Sequence, residues 1–455
     1  MRTIADRTRF FVASGAIFGL GLLASPASGA EAVPIDNPEL NSSLSPAVAM
    51  DRFGNSIALW SQFDSVFDSQ IFSSHFDART RAWSTPHRLD HPTFLNAFAP
   101  QVALTQFGVA VAVWQEHDGV RYRIVAASYS PFTDQWSALT IVNRETTRQS
   151  GRPRLAVGPW GRAQLIWQES EIGTHWVMGS RFEPGPNRWS SPERLDRSAS
   201  VTFSPEVAVD KLDRATVVWS EPHPQRNHHV IMAIRREAKG DWSEPIRIDD
   251  PEHEHSENPR IAMDSEGNAA AVWQQFDLLL ERFTVRCNRF SAREGVWRGA
   301  ERIDDDDSLH SFTPDVSMAA DESQDITAVW VQHDLVNQVN AIFANRFDPI
   351  HEAWTGAVAI DSPILDFSFS PRVRVDRSGN ATAVWLQVTP DFNFVFVMAN
   401  RFDIETRSWG NAYPLSDIGI PLIGEPALAV NGSSEAMVVW EQWNGIRGAV
   451  YAAEP

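Results

Sequence analysis

The stretch Pro46-Ala-Val-Ala-Met-Asp51-Arg-Phe-Gly54-Asn-Ser-Ile-Ala-Leu-Trp60-Ser-Gln62 returns in variant form along the chain, and its reading decides the architecture. In the version Pro205-Glu-Val207-Ala-Val209-Asp210, apolar side chains occupy every second place, the period of a half-buried strand. Proline at the first residue of such a strand is tolerated, because the missing N–H has no partner there. A turn follows, as in Asp264-Ser-Glu-Gly267-Asn268, where Gly and Asn accept positive φ and the Asp carboxylate bonds nearby backbone. A second strand then ends in Trp.

The opening Pro falls at 46, 100, 153, 205, 259, 314, 371 and 426, and the Trp at 60, 114, 167, 219, 273, 330, 385 and 440. Spacings of 52 to 57 residues define eight units. A further Trp follows 22 to 24 residues later, at 83, 136, 189, 242, 297, 354 and 409, and the eighth unit lacks it. These columns take up 15 of the 18 tryptophans. The unusual composition, 18 Trp and 26 Phe against 4 Tyr, is therefore a packing code and not a cofactor site.

Each unit reads as four strands, with a third ending near Asn345-Arg346-Phe347-Asp348 and a fourth after the later Trp. Four strands in about 53 residues is the period of a propeller blade. The expected fold is all-β, an eight-bladed β-propeller of four-stranded antiparallel blades. Unit eight ends after three strands, whereas residues 33–40 resemble the fourth-strand exits Ile248-Asp-Asp-Pro251 and Ile360-Asp-Ser-Pro363. An N-terminal strand completing the last blade would close the ring and hide its edges. An open solenoid would need polar capping units, which are not evident.

The 455 residues exceed the ~250 to 300 that one ordinary core sustains, which a repeat ring accommodates. A formal charge of −19 argues against nucleic acid or an anionic membrane as partner. Only Lys211 and Lys239 are lysines, leaving almost no Schiff-base candidate. The single Cys287 permits no intramolecular disulfide. It aligns with small residues such as Ser73 and Ala126, and reads as an inert buried thiol.

Arg2, Arg7 and Arg9 precede an apolar run from Phe10 to Leu23 and the small residues Ser28-Gly29-Ala30. Residues 1–30 read as a Sec-type signal peptide, too short in their apolar part for a membrane span, and residues 31–455 as the propeller. Its loss removes three Arg and one Asp, so the formal charge moves from −19 to −21. The expected product is a periplasmic or secreted monomer without a membrane span.

The hairpin Arg401-Phe402-Asp403-Ile-Glu-Thr-Arg-Ser-Trp409 resembles the Asp-box of sialidase-type propellers, with a longer Asp-to-Trp spacing and no intervening Gly. Over residues 33–455 the repeats resemble secreted bacterial propellers carrying Ala-Val-Trp-x-Gln and Asn-Arg-Phe-Asp runs. The resemblance implies the fold. The Tyr nucleophile with a Glu partner that it would imply for catalysis finds no match at Tyr122, Tyr129, Tyr413 or Tyr451.

By propeller convention the loops after the second and fourth strands share one face, here called the exit face, and it is the expected ligand face. Two residues past each Trp stands Gln62, Glu116, Glu169, Glu221, Gln275, Gln332, Gln387 or Gln442, an eight-fold column read as a ring that satisfies loop backbone. After each Pro, sign alternates through Arg154, Glu206, Arg260, Asp315 and Arg372, which points to inter-blade ion pairs at the channel mouth. Arg154, Arg260, Arg372 and Arg374 are also the anion-capture candidates, reminiscent of a sialidase arginine triad.

His228, His229, His253 and His255 are candidate ligands for a divalent metal such as zinc, copper or nickel, and no other cofactor is indicated. Asp304-Asp-Asp-Asp307 lacks the alternation of a calcium loop. Apolar loop tips at Phe67, Leu279, Leu335, Phe392, Phe394 and Trp443 belong to blades that adjoin once the ring closes, a candidate contact for protein or glycan. No blade breaks the repeat with a lone acid and base pair. The sequence therefore points to a non-catalytic recognition or scaffold module for an extracellular or envelope protein or glycan. A glycan-active enzyme of sialidase-like type is the alternative, and a lectin comes third.

Overall fold

A computed structural model describes residues 32–64, 68–143, 148–197, 201–238, 240–304, 310–319, 324–334, 339–416 and 424–455. The leader expected at 1–30 lies outside them.

Eight separate antiparallel sheets form the ring. In blade one the strands are Ser43–Met50, Ser56–Phe63, Ser69–Asp77 and Ala82–Trp83, paired in that order from the channel outward. The outermost strand is broken, and His87–Arg88 pairs with the third strand beyond the break. Outer edges this short offer little template for another chain. All eight second-strand tryptophans are fully buried. Each packs toward the preceding blade, so that Trp60 shares a core with Met437 and Val439, and Trp385 with Val329 and Val331.

The ring closes as expected. Val33 pairs with Ala452 and Pro34 with Tyr451, making residues Val33–Pro34 the outer strand of the blade built from Ala427–Val430, Ala436–Trp443 and Gly448–Ala453. Ile35 N then donates to Val450 O at 2.9 Å. The Asp36 carboxylate accepts Ser43 Oγ at 2.6 Å and pairs with both Nη atoms of Arg447.

Two features differ from the sequence reading. In seven blades the Pro does not start the inner strand. It follows a residue of positive φ, at Ser45 (52°), Ala99 (52°), Arg152 (53°), Ser204 (46°), Asn258 (54°), Thr313 (46°) and Ser370 (53°). The register shifts there, as between Leu44 and Ala47, so the Pro sits in a β-bulge, another place where the ladder needs no N–H. Only the inner strand of blade eight begins directly after its Pro.

The second feature is a tie between blades. Asp36, Asn143, Asp249 and Asp361 each bond a serine hydroxyl seven residues on, at Ser43, Ser150, Ser256 and Ser368, over 2.6 to 2.8 Å. Each pair fastens the exit of one blade to the inner strand of the next.

The Asn-Arg-Phe motif is a second tie, near the opposite face. Asn288, Asn345 and Asn400 donate to Ile248, Ile303 and Ile360 carbonyls at 2.8 to 2.9 Å. Arg235, Arg289 and Arg346 lie 3.7 to 4.0 Å over Phe290, Phe347 and Phe402 of the following blade, the geometry of a cation–π contact.

Candidate functional site

The central channel holds a cavity of about 710 Å³ lined by the residues at and after each inner-strand Pro. Glu206 accepts Arg154 Nε at 2.8 Å and Arg260 Nη1 at 3.0 Å, joining blades three, four and five. Arg374, two residues beyond the alternating column, pairs with Asp315 at 3.3 Å. Arg372 turns the other way and pairs with Glu425 at 2.9 Å. The sequence reading missed Glu425, because it precedes the Pro of blade eight whereas the other acids follow theirs. Each of the four arginines thus meets a carboxylate.

The Trp-x-Gln/Glu column behaves as a bonding ring. Gln62 Oε1 accepts Trp60 Nε1 and Asn37 N, while its Nε2 donates to Asn37 O at 2.7 Å. Gln387 joins Trp385 to Ser362 in the same way. Glu116 accepts Trp114 Nε1 at 2.8 Å and His91 N at 2.9 Å, and burial pushes its carboxyl up to about 7. Glu169 departs from the pattern by pairing with Arg148 at 3.3 Å, which leaves Trp167 Nε1 without a partner among the described residues.

The residue between Trp and that column points to the following blade. Gln115 Oε1 accepts Arg152 N at 3.0 Å and Gln274 Oε1 accepts Thr313 N at 2.9 Å, both at left-handed bulge residues. At the seam of blades eight and one the same position is Glu441, which lines the channel cavity. A Cβ on Gly424 would stand 2.8 Å from its carboxylate, and one on Gly448 3.1 Å, so two glycines make room for it. Among the described residues no hydrogen bond or ion pair reaches this carboxylate, and desolvation pushes it from 4.5 to about 7.

Folding therefore raises the proton affinity of Glu441. The unfolded chain releases this proton near 4.5 and the folded chain near 7, so stability falls as pH rises between those values and levels off above them. Glu441→Gln should match the parent near pH 5 and exceed it at pH 8 by about 1 to 2 kcal/mol, a figure reduced for the group's partial exposure. Denaturant midpoints at the two pH values check this. A gain of equal size at both would show that charge is not the cause.

The histidines do not gather as the sequence suggested. His228 is buried against His223, with ring centroids 5.0 Å apart and its Nε2 without a partner among the described residues. His253 lies 3.6 Å from both Asp250 and Asp277, which Arg286 already bridges at 2.9 and 3.1 Å. His229 and His255 do come together, and the third group beside them is Glu257, absent from the expected set. Burial holds the His229 imidazole below its ordinary value.

Of the apolar tips, Phe67 and Leu335 lie outside the described residues. Phe394 is half-buried against the core shared by blades six and seven, and Trp443 is a half-buried member of the second strand of blade eight. Leu279, 88 % exposed, and Phe392 do stand in solvent. Cys287 is buried, which pushes its thiol up, as an inert thiol requires.

The more continuous aromatic surface is on the opposite side, here called the turn face. It occupies the third position of the first-to-second-strand turn in blades one to four, as Phe53, Phe107, Trp160 and Leu212, all exposed. Arg52 lies 4.5 Å over Phe53 and 5.0 Å over Phe107, and Phe107 is 6.3 Å from Trp160. Trp160, 65 % exposed, and Leu212 border a cavity of about 970 Å³ at that mouth of the channel. Gln106, Asp210, Lys211, Ser265 and Arg377 supply its polar lining. The signal was present in sequence, since blades five and seven carry Glu266 and Ser378 there. Trp160 is also one of three tryptophans outside the two Trp columns.

No protein-family model matches the chain, and no curated protein matches it in sequence. The likeness is structural. An ulvan lyase, a polysaccharide lyase, aligns over 79 % of this chain and 93 % of its own with 10 % identity and a TM-score of 0.51. The propeller of Dos1 aligns over 93 % and 94 % with 8 % identity and a TM-score of 0.50. An α-L-arabinofuranosidase from Fusarium graminearum covers 71 % of this chain and 99 % of its own at 10 % identity and a TM-score of 0.42. At these identities the likeness speaks for the β-propeller fold alone. Among the described residues no helix is long and apolar enough to cross a membrane.

Proposed function

We propose that the chain is an exported, non-catalytic recognition propeller that binds a carbohydrate chain of the cell envelope or surroundings at the turn-face mouth of its channel. The observation that carries this is Trp160, mostly exposed beside Phe107 over a cavity with polar lining. A sugar ring presents C–H faces to an aromatic plane and hydroxyls to amides and carboxylates, which is what this mouth offers. Exposed large aromatics in a row are otherwise costly on a surface and mark contacts. The pairing of the channel arginines supports recognition over anion capture, since a compensated guanidinium has less field to spare.

A glycan array followed by calorimetry tests the reading. Binding is expected, and Trp160→Ala should weaken it by about 2 kcal/mol, some thirtyfold, with the fold unchanged. Binding that is indifferent to Trp160→Ala, or an empty array with a captured protein partner instead, would overturn it. One observation favours a glycan-cleaving enzyme: Glu441 keeps its proton to about 7 inside the channel, as a general acid would. That reading requires turnover of an array hit, abolished by Glu441→Gln.

A further inference from the structure

His229 and His255 come from different blades. His229 opens the third strand of blade four, His229–Arg236, and His255 stands at a bulge in the inner strand of blade five, Glu254–Met263. The bulge residue has φ 42°, and beside it Ser256 O accepts Ser220 Oγ of the neighbouring blade at 3.1 Å. The two rings stack with centroids 4.9 Å apart and planes 27° apart. Glu257 Oε2 is 3.4 Å from His255 Nε2. One ligand atom from each of the three side chains lies within 4.8 Å of the other two. Among the described residues the His229 ring has no hydrogen-bond or ion-pair partner. Two half-buried imidazoles and a carboxylate thus face one another with donor atoms to spare.

We propose that His229, His255 and Glu257 bind one zinc ion across the seam between blades four and five. Imidazole and carboxylate together suit a borderline metal, whereas magnesium and calcium take oxygen alone. Zinc bonds of ~2.0–2.2 Å set neighbouring tetrahedral ligand atoms about 3.3 Å apart. The His255–Glu257 separation of 3.4 Å is already there, so rotation of the His229 ring completes the set.

The surroundings orient the same three groups. Gln274 Nε2 donates to Glu257 Oε1 at 2.8 Å, occupying that oxygen and leaving Oε2 toward the histidines. Phe203 packs 5.0 Å from His229 and Phe283 6.3 Å from His255, flanking the stack on either side. Three protein ligands leave a fourth position for an exchangeable ligand. This site is on the exit face and does not rest on the carbohydrate reading, which concerns the opposite mouth.

The test is titration of tag-free protein with zinc chloride, followed by calorimetry and by metal content after gel filtration. One zinc per chain is expected, together with a rise in melting temperature from preferential binding to the folded state. His229→Ala and His255→Ala should abolish both effects. Gln274→Ala, which removes the hydrogen bond to the Glu257 carboxylate and the acceptor for Thr313 N but no ligand, should weaken binding about ten- to a hundredfold. His253→Asn and His228→Asn should bind as the parent does. A parent protein that takes up no zinc at micromolar concentration overturns the proposal. So does uptake that survives His255→Ala or is lost in His253→Asn. If the alanine variants do not fold, Glu257→Gln decides alone, and binding at parental affinity refutes the site.

Discussion

Asp36→Ala is expected to destabilise the chain by about 3 to 5 kcal/mol, although residue 36 lies in a short N-terminal segment remote in sequence from what it holds. Its carboxylate side chain is 1 % exposed and Arg447 is 12 % exposed. Removing the acid leaves a largely buried guanidinium without its charge partner, and takes the acceptor from Ser43 Oγ, so two losses fall on the seam where the ring closes. Asp36→Asn keeps an acceptor for the serine and should cost less. The double variant Asp36→Ala/Arg447→Ala should recover part of the loss, because the stranded cation is gone. Urea unfolding of the three variants measures this, with proteolysis of the first forty residues as a second readout. A cost for Asp36→Ala below about 1 kcal/mol would mean that the clasp is not a structural joint.

The clasp was legible because Ile35-Asp36 copies the motif that ends other blades, such as Ile248-Asp249 and Ile360-Asp361. Blade number, strand order and the burial of every second-strand Trp were legible for the same reason. A column repeated through the chain reports packing directly. The bulges were not legible. Of the seven positions Asn258 alone carries a residue enriched at positive φ, and Ser, Ala, Arg and Thr fill the other six, so tertiary pairing imposes the conformation largely against local preference. The Asp-to-Ser tie was hidden for a simpler reason. Its two members, as in Asp249 and Ser256, both precede the Pro at which the repeat was taken to start the inner strand, so the serine read as part of the connecting loop.

The candidate site was legible only where it followed the repeat. Arg154, Glu206 and Arg260 alternate in one column and pair as their signs suggest. Glu425 and Glu441 are departures from their columns, and only the folded seam shows what they face. Glu257 gave no signal because it lies past the exit loop, within the inner strand of blade five, and a bulge there brings His255 and Glu257 to His229 of the neighbouring blade. Trp160 stood outside the Trp columns and in a turn, the place where a large aromatic has no packing role to explain it.

The second large effect is expected at the Trp column, where the repeat supplies its own control. Trp385→Ala should cost about 3 to 5 kcal/mol, since it empties a site fully buried between blades six and seven. Its Nε1 also donates to Gln387 Oε1 at 3.2 Å, and Gln387 in turn holds both backbone groups of Ser362. Trp167 is buried to the same degree, but its Nε1 has no partner among the described residues, because Glu169 serves Arg148 instead. Truncation to Ala should therefore cost similar amounts at both sites, whereas replacement by Phe should separate them. Phe keeps most of the volume. At 385 it removes one of the two hydrogen bonds that Gln387 Oε1 accepts, leaving the one from Ser362 N, and at 167 it removes a buried N–H that has no partner among the described residues. Trp385→Phe should be the more damaging by about 1 kcal/mol or more. Denaturant midpoints of the four variants decide it, and equal losses for the two Phe variants would mean that the glutamine ring contributes shape and not hydrogen bonding.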